Sequence, residues 1–239
     1  MTTIDDLSIK LFADGADIAG ILELAKNPHI KGFTTNPTLM RSVGVTDYEA
    51  YARDLLAKVP DRPISLEVFA DDFDEMERQA LKIASWADNA NVKIPVMNTK
   101  RESAAPLIEK LSKEGVVLNI TAIMTDAQVR EVEAALAPKT PAIISVFAGR
   151  VADTGADPIP IMTESAKILE GKPKAELLWA STREAFNIVE AERVGCKIIT
   201  APNDVIKKIL AFGMDLNDLS HKAVDIFHKD AVASGFQIA

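Results

Sequence analysis

The feature that most constrains the fold of this chain is a regular alternation of short apolar runs with longer amphipathic segments. The runs are rich in Ile, Val, Leu and Phe, a composition typical of buried β-strands. The segments between them repeat apolar residues at helical spacing. The predicted strands are 9–13, 32–35, 64–69, 91–96, 116–119, 142–147, 176–180 and 197–200, and the predicted helices between and after them are 16–26, 47–58, 73–87, 99–113, 127–136, 161–169, 183–194 and 203–212.

Eight strand–helix units without a linker between them predict one α/β domain spanning residues 1–239. Strands joined by helices form a parallel sheet, and eight such units favour closure into a (β/α)₈ TIM barrel. An open, doubly wound sheet is the alternative fold. Residues 216–235 are predicted to form an extra C-terminal helix, followed by a tail to residue 239. Its apolar face would cover the barrel or dock on another subunit.

Composition narrows the possible partners and the compartment. The net charge of -8 and the pI near 5.0 disfavour binding to nucleic acid or to anionic membranes. Apolar stretches of membrane-spanning length are missing from the sequence, and the acidic first residues do not resemble a signal peptide. The single cysteine, Cys196, lies in an apolar run and is predicted to be a core residue. A cytoplasmic protein is therefore expected.

A lysine lies inside the fourth predicted strand. Residues 91–96 read NVKIPV, so Lys93 has apolar neighbours on both sides. Burying an ammonium group is costly, and a neutral amine is a nucleophile toward carbonyl carbons. This pattern indicates Schiff-base chemistry on an aldehyde or ketone. The alternative is a strand lysine that reaches solvent or pairs with a buried carboxylate.

In a barrel, active-site residues lie at the carboxyl ends of the strands. Polar residues occur at these positions in seven of the eight predicted strands, and an apolar barrel interior would not tolerate them unless they faced one another or a ligand. The candidates are Asp14, Thr34, Thr35, Asn36, Glu67, Lys93, Asn119, Thr121, Ser145, Phe147, Arg150, Ser181 and Arg183.

Four motifs resemble those of the transaldolase family and occur in the order found there. They are residues 32–38 (GFTTNPT), 92–95 (VKIP), 145–150 (SVFAGR) and 180–183 (ASTR). The resemblance extends over the chain from the first strand to the eighth. It implies a (β/α)₈ barrel with the Schiff-base lysine on the fourth strand. At this length the chain is similar to the short branch of the family, which also contains fructose-6-phosphate aldolases.

The resemblance implies a role for each catalytic candidate. Lys93 would form the Schiff base and Asp14 would take a proton from the C4 hydroxyl, although an aspartate here could instead cap the following helix. Glu67 and Thr121 would hold a water that shuttles protons. Glu67 could equally be a buried carboxylate paired with Lys93, and both interpretations can hold together.

The remaining candidates divide into two groups. Thr34, Asn36, Asn119, Ser145 and Phe147 would contact the retained three-carbon unit. For Asn36, Asn119 and Ser145 the alternatives are loop capping and local backbone bonds. Arg150, Ser181 and Arg183 would bind the substrate phosphate, because guanidinium groups suit phosphate geometry. Two exposed arginines on loops could also simply be solvated.

Phe147 and Glu67 distinguish between the two branches of the family. The resemblance implies that members of the aldolase branch have a Tyr at the position of Phe147 and a Gln at the position of Glu67. The sequence therefore predicts a transaldolase-like transferase that moves a dihydroxyacetone unit from a ketose phosphate to an aldose phosphate. An aldolase that releases dihydroxyacetone and a non-catalytic sugar-phosphate-binding barrel are the alternatives. Neither a metal nor an organic cofactor is predicted, the sugar phosphates are the expected partners, and a homo-oligomer is expected.

Overall fold

Eight parallel strands close into a barrel in sequence order, and the eighth pairs with the first, in a computed structural model that describes residues 2–235. The barrel prediction is confirmed and the open sheet is excluded. Residues 236–239 of the predicted tail lie outside the described part of the chain. The strands are β1 Lys10–Asp14, β2 Ile30–Thr34, β3 Ile64–Glu67, β4 Ala90–Pro95, β5 Leu118–Ile123, β6 Ala142–Val146, β7 Ala175–Trp179 and β8 Ile198–Pro202.

Helices follow every strand, and all but the last surround the barrel. They are α1 Ile18–Ala25, α2 Pro37–Ser42, α3 Tyr48–Lys58, α4 Phe73–Ala84, α5 Ala105–Lys113, α6 Asp126–Ala135, α7 Ala148–Asp153, α8 Pro158–Ile168, α9 Asn187–Arg193, α10 Asn203–Ile209 and α11 Leu216–Ser234. Short 3₁₀ turns occupy Ile4–Asp6 and Leu169–Gly171. Two of the short helices, α2 and α7, were not predicted from the sequence.

Two helices begin later than predicted because asparagine side chains hold the preceding chain in loops. The Asn98 side chain accepts hydrogen bonds from the backbone N–H groups of Lys100 and Glu102, so α5 begins at Ala105 and not near residue 99. The Asn187 side chain accepts in the same way from the N–H groups of Arg183 and Glu184. The helix α9 therefore begins at Asn187 and not at residue 183. In both loops the side chain satisfies backbone donors of the loop itself.

The fifth strand contains a bulge that the sequence did not indicate. Its pairing with β6 shifts register between Ile120 and Ile123, and Ala122 has a positive φ of 62°. A bulge inserts an extra residue and redirects its neighbours. The strand consequently extends to Ile123, beyond the predicted end at residue 119, and it places Thr121 at the carboxyl end of the barrel.

Two apolar layers hold the barrel together. The larger layer lies between the strands and the surrounding helices, and it includes Cys196, whose thiol pKa is raised by burial. The prediction that Cys196 is a core residue is therefore confirmed. The smaller layer fills the barrel interior with Phe12, Ile143, Leu178 and Ile198. A side chain at Gly32 would approach the Phe12 ring to 2.5 Å, so only glycine fits beside that ring.

The C-terminal helix α11 does not pack on the barrel in the way that a core helix would. It has no buried residue, although Leu216, Leu219, Ile226 and Phe227 are apolar. Phe227 is 72% exposed. The prediction that this helix exists is confirmed, and the suggestion that it covers the barrel is wrong. Within residues 2–235, all helices lack the combination of length and apolar character needed to cross a membrane.

Candidate active site

A polar cavity of about 450 Å³ opens at the carboxyl ends of the strands. Every predicted site residue except Arg183 and Thr35 lines this cavity. The lining residues are Asp14, Thr34, Asn36, Pro37, Thr38, Leu39, Glu67, Lys93, Asn119, Thr121, Ala122, Ser145, Phe147, Arg150, Ala180, Ser181 and Thr200. A larger groove of about 570 Å³ lies outside the barrel around Leu169 and Val194, and it includes none of the predicted residues.

The strand pleat explains why polar and apolar residues share the barrel interior. Alternate residues of a strand point to the same face. In β1, Phe12 belongs to the apolar interior layer and Asp14 lines the cavity. In β6, Ile143 and Ser145 are related in the same way. These two strands therefore place an apolar side chain below and a polar side chain above, and the cavity rests partly on apolar side chains.

Lys93 is buried at the centre of this constellation, with 7% of its surface exposed. Its Nζ donates a hydrogen bond to the Thr35 carbonyl oxygen at 3.0 Å and lies 3.1 Å from Glu67 Oε2. Glu67 and Lys93 are paired residues on β3 and β4, so the strand register sets their contact. The ion pair is thus present, with Glu67 only partly buried, and it places a proton acceptor directly beside the amine.

Asp14 ends β1, and its carboxylate faces the cavity without capping a helix. The N-cap of α1 is Asp17, which accepts from the Gly20 N–H at 2.8 Å, so the capping alternative for Asp14 is excluded. Burial raises the pKa of Asp14, while the hydrogen bond from Thr34 and the charge of Lys93 act in the opposite direction. A carboxylate with a raised pKa is a stronger base than an ordinary aspartate.

A short chain of hydroxyl groups leads to Asp14. Thr34 Oγ1 donates to Asp14 Oδ1 at 2.9 Å and lies 2.6 Å from Thr200 Oγ1. Thr34 has a single hydroxyl proton, and it is used toward Asp14. Thr200 must therefore be the donor to Thr34, and the two threonines orient the carboxylate from β2 and β8.

The fifth and sixth strands contribute a buried polar network. Ser145 Oγ donates to Asn119 Oδ1 at 2.7 Å, and Asn119 Nδ2 donates to Ser65 Oγ at 2.9 Å. These bonds run between strands, so the local-backbone alternative does not describe Asn119 or Ser145. Thr121 Oγ1 is buried and has no hydrogen-bond partner among the described residues. Leaving such a group unpaired costs about 1–3 kcal/mol, which favours a ligand atom beside it.

Asn36 is both a helix cap and a wall of the cavity. Its side-chain oxygen accepts from the Leu39 N–H at 2.9 Å and begins α2, with Pro37 at the first helical position. The capping alternative therefore holds for the oxygen. The side-chain amide nitrogen is a second group of the same residue, and it can donate to a ligand in the cavity.

The rim near β6 and β7 carries the arginines. Arg150 on α7 is exposed, and its Cζ lies 5.0 Å from the centre of the Phe147 ring. The Arg183 guanidinium does not line the cavity. It forms a two-point contact with Asp153, in which Nε and Oδ1 are 3.0 Å apart. Of the two predicted arginines, only Arg150 faces the cavity directly.

Close backbone contact joins the two rim loops. A side chain at Gly149 would lie 1.7 Å from the Ser181 carbonyl oxygen, so glycine is required where α7 meets the loop after β7. Ser181 itself has a φ of 63°, in the left-handed region. Such a conformation in a non-glycine residue is a strained feature often found at functional sites.

Several residues of the site were not singled out as site residues from the sequence. Thr200 could have been found, because it is a polar residue at the carboxyl end of the eighth predicted strand. Ser65 is an inward-facing residue of β3, and an alternation count from Glu67 would have identified it. Asp153 and Tyr48 carried no signal. The Tyr48 hydroxyl donates to the Glu67 carbonyl oxygen at 2.9 Å.

The fold and the site define a class of protein. A closed (β/α)₈ barrel with a polar cavity at the carboxyl ends of its strands and a buried lysine inside it has the architecture of barrel enzymes. Sequence comparison identifies the particular family. The sequence model described as transaldolase/fructose-6-phosphate aldolase matches residues 11–238, and the chain belongs to this family.

Individual relatives agree with this assignment. A protein named probable transaldolase from Dehalococcoides mccartyi is 34% identical over 84% of this chain and 90% of its own length. One of the same name from Sphingopyxis alaskensis is 32% identical over 96% of this chain and its whole length. A probable transaldolase 2 from Listeria monocytogenes is 32% identical over 93% of this chain and 95% of its own.

A solved structure shares the fold at low sequence identity. A protein from Coccidioides immitis, assigned to the dihydrodipicolinate synthase family, aligns with a TM-score of 0.56 at 14% identity. The alignment covers 81% of this chain and 66% of that one. At this identity the likeness supports the barrel fold alone.

Proposed function

We propose that this transaldolase-type enzyme transfers a dihydroxyacetone unit from a ketose phosphate to an aldose phosphate through a Schiff base on Lys93. The observation that carries the proposal is the position of Lys93, buried on β4 at the base of the cavity with Glu67 3.1 Å from its Nζ. An amine, a carboxylate and an unpaired hydroxyl, that of Thr121, converge there. These are the groups that Schiff-base formation uses.

The first steps form the Schiff base. Glu67 accepts a proton from Lys93, and the neutral amine attacks C2 of the ketose to give a carbinolamine. The carbinolamine loses water and becomes a protonated Schiff base. In this proposal Glu67 and Thr121 hold the water through which protons reach the departing oxygen.

The next steps break and form a carbon–carbon bond. The Asp14 carboxylate takes the proton of the C4 hydroxyl, the C3–C4 bond breaks, and its electrons flow into the Schiff base to give an enamine. The aldehyde fragment leaves with its phosphate. An acceptor aldehyde then receives the enamine carbon, its oxygen takes the proton from Asp14, and hydrolysis frees Lys93 and the new ketose phosphate.

Substrate contacts are assigned by position in the cavity. Thr34, Asn36, Asn119 and Ser145 present hydroxyl and amide groups around Lys93, where the hydroxyls of the three-carbon unit would lie. We assign the phosphate to the rim that carries Arg150, Ser181 and Arg183. A guanidinium pairs well with phosphate, and a rim position leaves the phosphate partly in solvent.

The proposed base can be tested through the pH dependence of activity. The base form of Asp14 exists above its pKa, which burial raises, so the acidic limb of kcat/KM should lie above the range of an ordinary aspartate. Thr34→Val removes a hydrogen bond that stabilises the carboxylate and should raise this pKa further. The acidic limb should then move to higher pH, with the basic limb unchanged.

Thr200→Val is the matched control for that measurement, because it keeps the bond between Thr34 and Asp14. The acidic limb of kcat/KM should move less in Thr200→Val than in Thr34→Val. An acidic limb that stays in place in Thr34→Val would show that Asp14 is not the titrating base.

Phe147 favours transfer over release of dihydroxyacetone. Its ring lines the cavity and has no hydroxyl that could protonate the enamine. Phe147→Tyr should therefore increase the ratio of free dihydroxyacetone to transferred ketose at saturating acceptor. A coupled assay with and without an acceptor aldehyde measures this ratio.

Two outcomes of this assay would contradict the proposal. Release by the wild type as fast as transfer would identify an aldolase. An unchanged ratio in a folded Phe147→Tyr variant would show that the ring does not lie beside the Schiff base. The third alternative, a binding protein without catalysis, predicts neither product.

We also propose that the protein acts in the cytoplasm as a homo-oligomer in which α11 docks on a second copy. Leu216, Leu219, Ile226 and Phe227 are exposed and recur at helical spacing, so they share one face of α11, and a contiguous exposed apolar face is typical of interaction surfaces. Light scattering measures the molar mass in solution, and a monomer would contradict the proposal.

A further inference from the structure

A carboxylate on the helix that carries Arg150 is paired with Arg183. Asp153 is the last residue of α7, three positions after Arg150, so both side chains lie on one side of this helix. Asp153 accepts from Arg183 at Nε, 3.0 Å from Oδ1, and at Nη2. The hydrogen bonds from Arg183 are the main cause that lowers the pKa of Asp153, and the charges of Arg183 and then Arg150 lower it further, so the carboxylate lies within the field of both guanidiniums.

The path of the Arg183 side chain is also fixed. Its Cγ lies 3.2 Å from the position that a Cβ atom would occupy at Gly149. The aliphatic stem of Arg183 therefore runs along the backbone of α7. The stem rests on Gly149 and the guanidinium ends at Asp153. The loop after β7 is therefore joined to α7 at two points, close to the residue that faces the cavity, Arg150.

This arrangement leaves part of the guanidinium free. Asp153 uses the edge formed by Nε and Nη2, and the edge that includes Nη1 can still donate two hydrogen bonds to a phosphate. Two guanidiniums repel each other and each has many rotamers, so a carboxylate that binds one of them within the field of the other lowers both costs before a phosphate arrives. Both members of the pair are about half exposed, at 48% and 52%. Solvent therefore weakens the attraction between the two charges, and the effect assigned to Asp153 is a modest one.

We propose that Asp153 is a positioning residue that holds Arg183 beside Arg150, so that one substrate phosphate binds both. This inference rests on the proposed function, in which these arginines bind the phosphate. It adds a residue that does not itself touch the substrate, and it explains why Arg183 can serve the site without lining the cavity.

The test compares KM for the phosphorylated donor, kcat, and the inhibition constant of inorganic phosphate. Asp153→Ala should raise KM and the inhibition constant by about three- to fivefold, with kcat unchanged. Asp153→Asn retains one acceptor for Arg183, so its KM and inhibition constant should lie between those of Asp153→Ala and the wild type. Arg150→Ala should have a larger effect than either, because Arg150 lines the cavity.

A double variant separates positioning from a general effect on structure. In the Arg183→Ala background, Asp153→Ala should change neither KM nor the inhibition constant further, because the arginine that Asp153 positions is gone. Glu114→Gln is the charge control: it removes one negative charge after α5, at the opposite end of the barrel, and should change nothing.

Three outcomes would overturn the inference. Tighter phosphate binding in Asp153→Ala would show that neutralisation outweighs ordering. An equal effect with and without Arg183 would show that Asp153 acts on another group. An unchanged inhibition constant in Arg183→Ala would remove Arg183 from the phosphate site, whereas the Schiff-base proposal would stand as long as Lys93 is still trapped.

Discussion

Replacing Lys93 by alanine is expected to abolish transfer, with a loss on the order of 10⁴-fold or more, because the nucleophile that forms the covalent intermediate is removed. The fold should survive. Lys93 faces the cavity, and its partner Glu67 retains contact with solvent, with 19% of its side chain exposed. Steady-state rates measure the first effect, and circular dichroism with thermal unfolding measures the second.

The barrel provides a matched control for this substitution. Lys10 is also a strand lysine in an ion pair, 2.8 Å from Glu176, but it lies at the amino end of β1, away from the cavity. Lys10→Ala should therefore keep the activity of the wild type. Substantial turnover in a folded Lys93→Ala variant would show that another residue carries the chemistry.

Glu67→Gln is expected to lower kcat by about 10²-fold or more, because the amide cannot exchange protons with Lys93 or with the departing water. The side chain keeps its size, so KM for the donor should change less than kcat. Glu176→Gln is the corresponding control at the amino ends of the strands and should leave both parameters unchanged.

The outcome for Glu67 discriminates between its two interpretations. A purely structural partner of Lys93 would affect unfolding temperature more than rate. Wild-type turnover in Glu67→Gln would therefore mean that the 3.1 Å contact only stabilises the buried lysine. A rate loss without a comparable change in unfolding temperature would support proton transfer.

The barrel could be predicted because its strands are buried on both faces. Continuous apolar runs such as the one around Ile143 mark these strands, and their number indicated closure. The positions of Asp14 and Lys93 followed from one rule, that strands of a barrel present functional residues at their carboxyl ends. Both residues line the cavity of the folded protein.

Other features depend on contacts between distant residues, which a single sequence does not reveal. The bulge at Ala122 results from the pairing of β5 with β6. The pair of Arg183 with Asp153 forms because α7 approaches the loop after β7 at Gly149. The short helix α2 begins at the Asn36 cap, but six residues are too few to show a helical period.

The most direct test of the central claim is reductive trapping with borohydride in the presence of a ketose phosphate donor. Borohydride reduces a Schiff base to a stable secondary amine, and mass spectrometry of the digested protein locates it. We predict a three-carbon adduct on Lys93, dependent on donor, formed more slowly in Glu67→Gln and absent in Lys93→Ala. An active enzyme that yields no adduct, or an adduct on a different lysine, would contradict the account.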